Sequence, residues 1–229
     1  MINYKDNRTR NYRRSPSLER MDGSIPQKIK LLIICEGKNT EPSYFKQFRY
    51  PATIETIDIE GTGYNTVSLV EYAEKRKQEA KYQHHKVWCV FDADPKAHDP
   101  NQLVHFNNAI KKAEALGFNV AYSHQAFEYW LILHFEDHQG GPMHRDLYAA
   151  KINKYLKAID SKVVYDKDRK EVSESFFNIM LAADPKTHES RQVLALKRAK
   201  KIYSQYDHQN PAKEESSTTV FKLVWELFE

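Results

Sequence analysis

Cysteine is almost missing from this 229-residue chain. There are two, Cys35 and Cys89. Both lie inside apolar runs, which reads as buried free thiols in a reducing cytosol, not as a disulfide or a metal pair. No apolar run approaches the roughly 20 residues that span a bilayer, so no membrane segment is expected. The N-terminus is polar and basic and has no apolar stretch of the kind a secretory leader carries. The Gly61-Thr62-Gly63 turn lacks the Lys-Ser/Thr of a Walker motif, which argues against nucleotide hydrolysis by this chain. No internal repeat is visible. What remains is a cytoplasmic protein of one large domain, or one domain with an appendage, long enough to bury a core without staples.

Charge of one sign is also scarce. The net charge is +4. Residues 1–20 hold six basic residues (Lys5, Arg8, Arg10, Arg13, Arg14, Arg20) against Asp6 and Glu19, so the whole excess sits in this arm and the rest of the chain is balanced. Tyr4 and Tyr12 are interleaved with the bases. Such an arm suits phosphate contact and base stacking, and equally suits a solvated, flexible leader. We take residues 1–27 as a basic flexible arm, ended by the turn-rich Asp22-Gly23-Ser24-Ile25-Pro26.

Beyond the arm, strands and helices alternate. Apolar runs over 30–35, 53–59, 86–91 and 118–122 read as strands, the first apolar on both faces as a central parallel strand should be. Helices are expected from Glu41-Pro42-Ser43, from an Asn65 N-cap through Lys81, over 102–116 with Gly117 as its stop, and over 127–135. Past Gly140-Gly141-Pro142 the pattern turns helical, over 147–159, 175–183, 191–206 and 218–228; only 163–165 has strand character. The expected fold is α/β: a Rossmann-like, four-stranded parallel sheet flanked by helices over 28–139, with a mostly helical C-terminal extension over 140–229 packed on it. In such folds the ligand site lies outside the carboxyl ends of the strands.

Acids stand at those ends. The first strand stops at Glu36-Gly37, the third at Asp92-Ala93-Asp94. Carboxylates close together repel, and need a cation or a shared proton. Oxygen donors without Cys or clustered His favour magnesium or manganese over zinc. Glu36, Asp92 and Asp94 are therefore the expected metal site, with Glu36 also placed as general acid/base for phosphoryl transfer.

These residues carry a resemblance. The stretch from Leu32-Ile33-Ile34-Cys35-Glu36-Gly37-Lys38 to Pro42-Ser43-Tyr44-Phe45 is similar to the opening motif of the RloB-like family, a branch of Toprim-fold proteins related to OLD-type nucleases. Val90-Phe91-Asp92-Ala93-Asp94 resembles its Asp-x-Asp strand, Ala126-Phe127-Glu128-Tyr129-Trp130 its third motif, and Ser217-Thr218-Thr219-Val220 its C-terminal segment. The resemblance covers about residues 29–228. It implies a Toprim fold, a strand-one glutamate (Glu36) as general acid/base, magnesium on Asp92 and Asp94, and a place in bacterial or archaeal phage-defence loci, often beside an ABC-type ATPase. Glu128 is the one candidate for a further acid.

Secondary candidates each have a plainer explanation. Glu128 is a candidate catalytic acid, or a partner of its helix dipole. His134 is a candidate catalytic residue, or a core histidine; at six residues from Glu128 it falls on another face of a regular helix. His134 and His138 have half-zinc-site spacing, but no His-Glu-x-x-His order accompanies it. Lys38 would hold a phosphate, and Gly61 and Gly63 would offer backbone N–H groups to one. Three readings result: a magnesium-dependent nuclease acting on DNA or RNA with an ATPase partner; a non-catalytic nucleic-acid-binding or regulatory subunit; and an enzyme on a small phosphorylated substrate. Oligomerisation is open, since the apolar stripe of the last helix suits packing or a partner.

Overall fold

The computed structural model describes residues 28–95, 99, 101–138, 143 and 145–228. The basic arm, the loop positions around Pro95–Pro100 other than residues 95 and 99, and the Gly140-Gly141-Pro142 break lie outside the described residues. Four strands, β1 (Ile29–Cys35), β2 (Ile54–Gly61), β3 (Lys86–Asp92) and β4 (Asn119–Ser123), form one sheet in the order β2-β1-β3-β4. All three pairings are parallel. The chain steps outward from β1 to β2, then returns past β1 to β3, so the topological switch point lies between β1 and β3. That crevice is where open parallel sheets bind ligands.

Both faces of the sheet are covered. Leu31, Ile33, Cys35, Trp88 and Val90 face α1 (Thr40–Phe45), α4 (Glu128–Ile132) and the helices of the second half. Leu32, Ile34, Val87, Cys89 and Phe91 face α2 (Thr66–Gln78) and α3 (Gln102–Ala115). The alternation is the two-residue period of a strand, with apolar residues on both phases because neither face meets water. Asn65 caps α2 as expected, its side chain accepting from the Ser68 N–H at 3.1 Å. Cys35 and Cys89 are free and buried, and burial pushes both thiols up, Cys89 to about 12.

The second half supplies α5 (Arg145–Ile159), α6 (Glu174–Leu181), α7 (Arg191–Tyr203) and α8 (Val220–Phe228). Tyr148, Ile152, Phe176, Ala195 and Val224 share one apolar core with β1 and α1. The last helix packs inward through Val220, Leu223, Val224 and Leu227. Residues 163–165 form no strand. Instead the Asn153 amide brackets the Tyr165 backbone, donating to its carbonyl at 2.8 Å and accepting from its N–H at 2.7 Å. The outer edge of β4 does not end in solvent: Thr218 forms an antiparallel bridge to Ser123, and the Thr219 hydroxyl accepts from the Tyr122 N–H at 2.8 Å. This covers an edge that would otherwise invite pairing with another chain. Among the described residues no helix is long and apolar enough to cross a membrane.

Candidate functional site

The carboxyl ends of β1 and β3 open into a cavity of about 210 Å³, walled by Glu36, Lys38, Glu41, Asp92, Asp94, Glu128 and Lys170, among others. Glu36 sits one residue past β1. Its N–H continues the ladder to the Val90 carbonyl at 2.8 Å, and its carboxylate accepts weakly from the Asp92 N–H at 3.4 Å. One side-chain contact thus ties the two strand ends across the switch point. Asp92, the last residue of β3, accepts from the Phe127 N–H at 3.1 Å, which fixes the start of α4 against it. The strand period does not reach Asp94, whose backbone turns left-handed with φ of +37°. Asp94 still lines the same cavity, brought there by a turn and not by strand geometry.

Glu41 belongs to this group, although from sequence it reads only as an acid in the first turn of α1. It is 4% exposed, and accepts from the Gly37 N–H at 3.0 Å. Burial first, then the nearby Glu128 charge, raises its carboxyl to about 7, against the pull of two backbone N–H bonds and Lys170. Asp92 is also pushed well up, first by burial and then by Glu41, Glu36 and Glu128. Glu128 is nearly buried and receives the Tyr165 hydroxyl at 2.7 Å; that hydroxyl also bonds Thr40 at 3.1 Å. Tyr165 and Lys170 come from the second half and have no motif around them. Only the folded loop shows that they reach the acids.

Three expectations need correction. His134 does not reach the cavity. It is fully buried; Nδ1 lies 3.1 Å from the Trp130 carbonyl and Nε2 3.3 Å from the Gln192 side-chain oxygen. Burial lowers its pKa to about 4, so it is a neutral core histidine. Gly61 and Gly63 do not line the acidic cavity. The Gly63 N–H is taken by the Glu36 carbonyl at 2.8 Å, and Gly61 stands beside Cys35 at the end of β2, where the neighbouring Thr62 N–H donates to the Cys35 carbonyl at 3.0 Å. Their lack of a side chain serves packing: a Cβ on Gly61 would lie 2.7 Å from the Gly37 carbonyl oxygen, and one on Gly63 2.5 Å from the Lys38 side chain. Lys38 lines the cavity.

The donor set is oxygen-only and crowded, which suits a hard divalent cation. A group with a raised affinity for protons, held up by three neighbouring carboxylates, sits in a potential that a cation would relieve. Among the described residues, no three His, Cys, Asp or Glu side chains already form a metal cage. The acids share a cavity.

Fold and site together define an α/β protein with a carboxylate-walled cavity at the switch point of a parallel sheet. The chain belongs to the RloB-like protein family, whose model matches residues 31–227. That span runs from β1 into α8, so the sheet and the helical half both fall within it. No curated protein and no solved structure matches the chain.

Proposed function

We propose that this protein is a magnesium- or manganese-dependent nuclease of Toprim type, hydrolysing phosphodiester bonds in DNA or RNA, and acting in phage defence with an ABC-type ATPase. The observation that carries the chemistry is the convergence of Glu36, Glu41, Asp92, Asp94 and Glu128 on one cavity at the switch point. Asp92 and Asp94 would hold the cation with Glu36, and Glu41 and Glu128 line the same cavity. When bound, the cation supplies charge stabilisation at the phosphoryl oxygens. Glu36 would take a proton from the attacking water or return one to the leaving oxygen. Lys38 and Lys170 offset the charge of the incoming phosphodiester. The defence setting and the ATPase rest on the family resemblance alone.

The test is cleavage of labelled DNA and RNA by the purified chain, alone and with its ATPase partner. Cleavage should require magnesium or manganese and stop with EDTA. Glu36→Gln should melt like the wild type and lose at least about 100-fold in rate, the scale of a positioned proton-transfer group. No cleavage of either nucleic acid, with either metal and the partner present, sinks this reading.

A further inference from the structure

A second cavity, of about 470 Å³, adjoins the acidic one and shares Lys38 and Asn39 with it. Its charged lining is Lys38, Lys46 and Arg169 against the single acid Glu171. Among the described residues, none of these three cations has an ion-pair partner. They come from three separate places: the turn after β1, the end of α1, and the loop between α5 and α6. Chance surface lysines on one helix would not converge in this way.

The loop that brings Arg169 is built, not draped. Tyr165 anchors its start through Glu128 and Thr40. Ser43 anchors its end, accepting from the Val172 N–H at 2.9 Å. Between them the Asn39 amide donates to the Arg169 carbonyl at 2.9 Å, and the Asp166 carboxylate accepts from the Asp168 and Arg169 N–H groups. The loop therefore sets Lys170 at the acidic cavity and Arg169 at the neighbouring one.

We infer that this cationic hollow holds backbone phosphates flanking the bond presented to the acids, so that the substrate is a polynucleotide strand and not a small phosphate ester. The inference deepens the nuclease reading and rests on it. Unpaired cations in a groove are the sequence-independent grip on a nucleic-acid backbone, and they make binding steeply salt-dependent. Lys38, on the wall common to both cavities, lies between the flanking phosphates and the reacting one.

The experiment measures binding, with no metal present, so that it stands apart from cleavage. Fluorescein-labelled single-stranded 20-mers of DNA and of RNA are titrated with the full chain in EDTA over a range of salt. The double variant Lys46→Ala/Arg169→Ala, checked for wild-type melting, should bind at least about 10-fold more weakly, with a salt slope shallower by about 0.7 for each lost phosphate contact. Lys157→Ala, on the exposed end of α5, should change neither. Unlabelled oligonucleotide should displace the probe, and a mononucleotide at equal phosphate concentration should not. Wild-type affinity and slope in the double variant, equal displacement by the mononucleotide, or no oligonucleotide binding at all would each overturn the inference. Salt-dependent binding through the hollow without magnesium-dependent cleavage would defeat the nuclease reading only. Cleavage with binding indifferent to the hollow would defeat this inference only.

Discussion

Glu41 shows how much one buried carboxyl can report. Its carboxyl is held near 7 against an ordinary 4.5, so the fold favours its protonated form. The stabilisation this gives is complete below about pH 4.5 and is lost as pH rises toward 7. The full difference is at most about 3 kcal/mol. Glutamine keeps an oxygen for the Gly37 N–H and removes the charge. Glu41→Gln should therefore be more stable than wild type by about 1–3 kcal/mol at pH 8 in EDTA, with the gain fading toward pH 4.5, as urea denaturation at the two pH values would show. A variant less stable than wild type at pH 8 would mean that the cluster is already relieved by protein groups alone. Residue identity made Glu36, Asp92 and Asp94 legible from sequence, because each follows an apolar strand. Glu41 was not legible: an acid in the first turn of a helix is common, and only the folded turn shows its carboxylate accepting from the Gly37 N–H. His134 is the reverse case. Its position in a motif-like stretch suggested chemistry, and burial against Trp130 and Gln192 assigns it to the core.

At the scale of elements, the turns after β1 and β2 are interlocked. Thr62 and Gly63 donate to the carbonyls of Cys35 and Glu36, and Gly61 lies flat against Gly37, Lys38 and Pro42. Both glycines stood out in the sequence, but a phosphate turn and a packing turn have the same short pattern, and only the partner of the Gly63 N–H and the close packing around Gly61 separate them. Gly61→Ala forces a methyl within 2.9 Å of two backbone atoms and a proline ring. It should cost about 1–3 kcal/mol and, by shifting the turn that carries Glu36 and Lys38, lower the cleavage rate of the folded fraction. Thermal melting and single-turnover rates measure the two effects separately. A wild-type rate with lowered stability would show that the turn's position is not critical to the chemistry. The eight elements of the sheet half were readable because strand and helix periods are plain there, although α4 ends at Ile132, short of the expected 127–135. The loop 163–172 was not, since its order comes from the Asn153 and Ser43 side chains, distant in sequence.

At the scale of the whole molecule, the sheet order places Glu36 and Asp92 on either side of the switch point, and the helical half adds Lys170 to the cavity wall. Alternating β and α segments made the parallel sheet readable, and the run of helices after it made the second half readable. Which face that half would cover was not. The answer lies in Tyr44, Phe127, Trp130 and Phe177, whose rings meet edge to face and join the two halves in one core. The assembled molecule brings Glu36, Glu41, Asp92, Asp94 and Glu128 to one cavity, and a divalent cation is the occupant proposed for it. Manganese binding, followed by loss of the free-ion electron paramagnetic resonance signal, tests it directly. Wild type should take up manganese, magnesium should compete, and Asp92→Asn should bind at least about 10-fold more weakly while melting like the wild type. Equal manganese affinity in the two proteins would contradict the account.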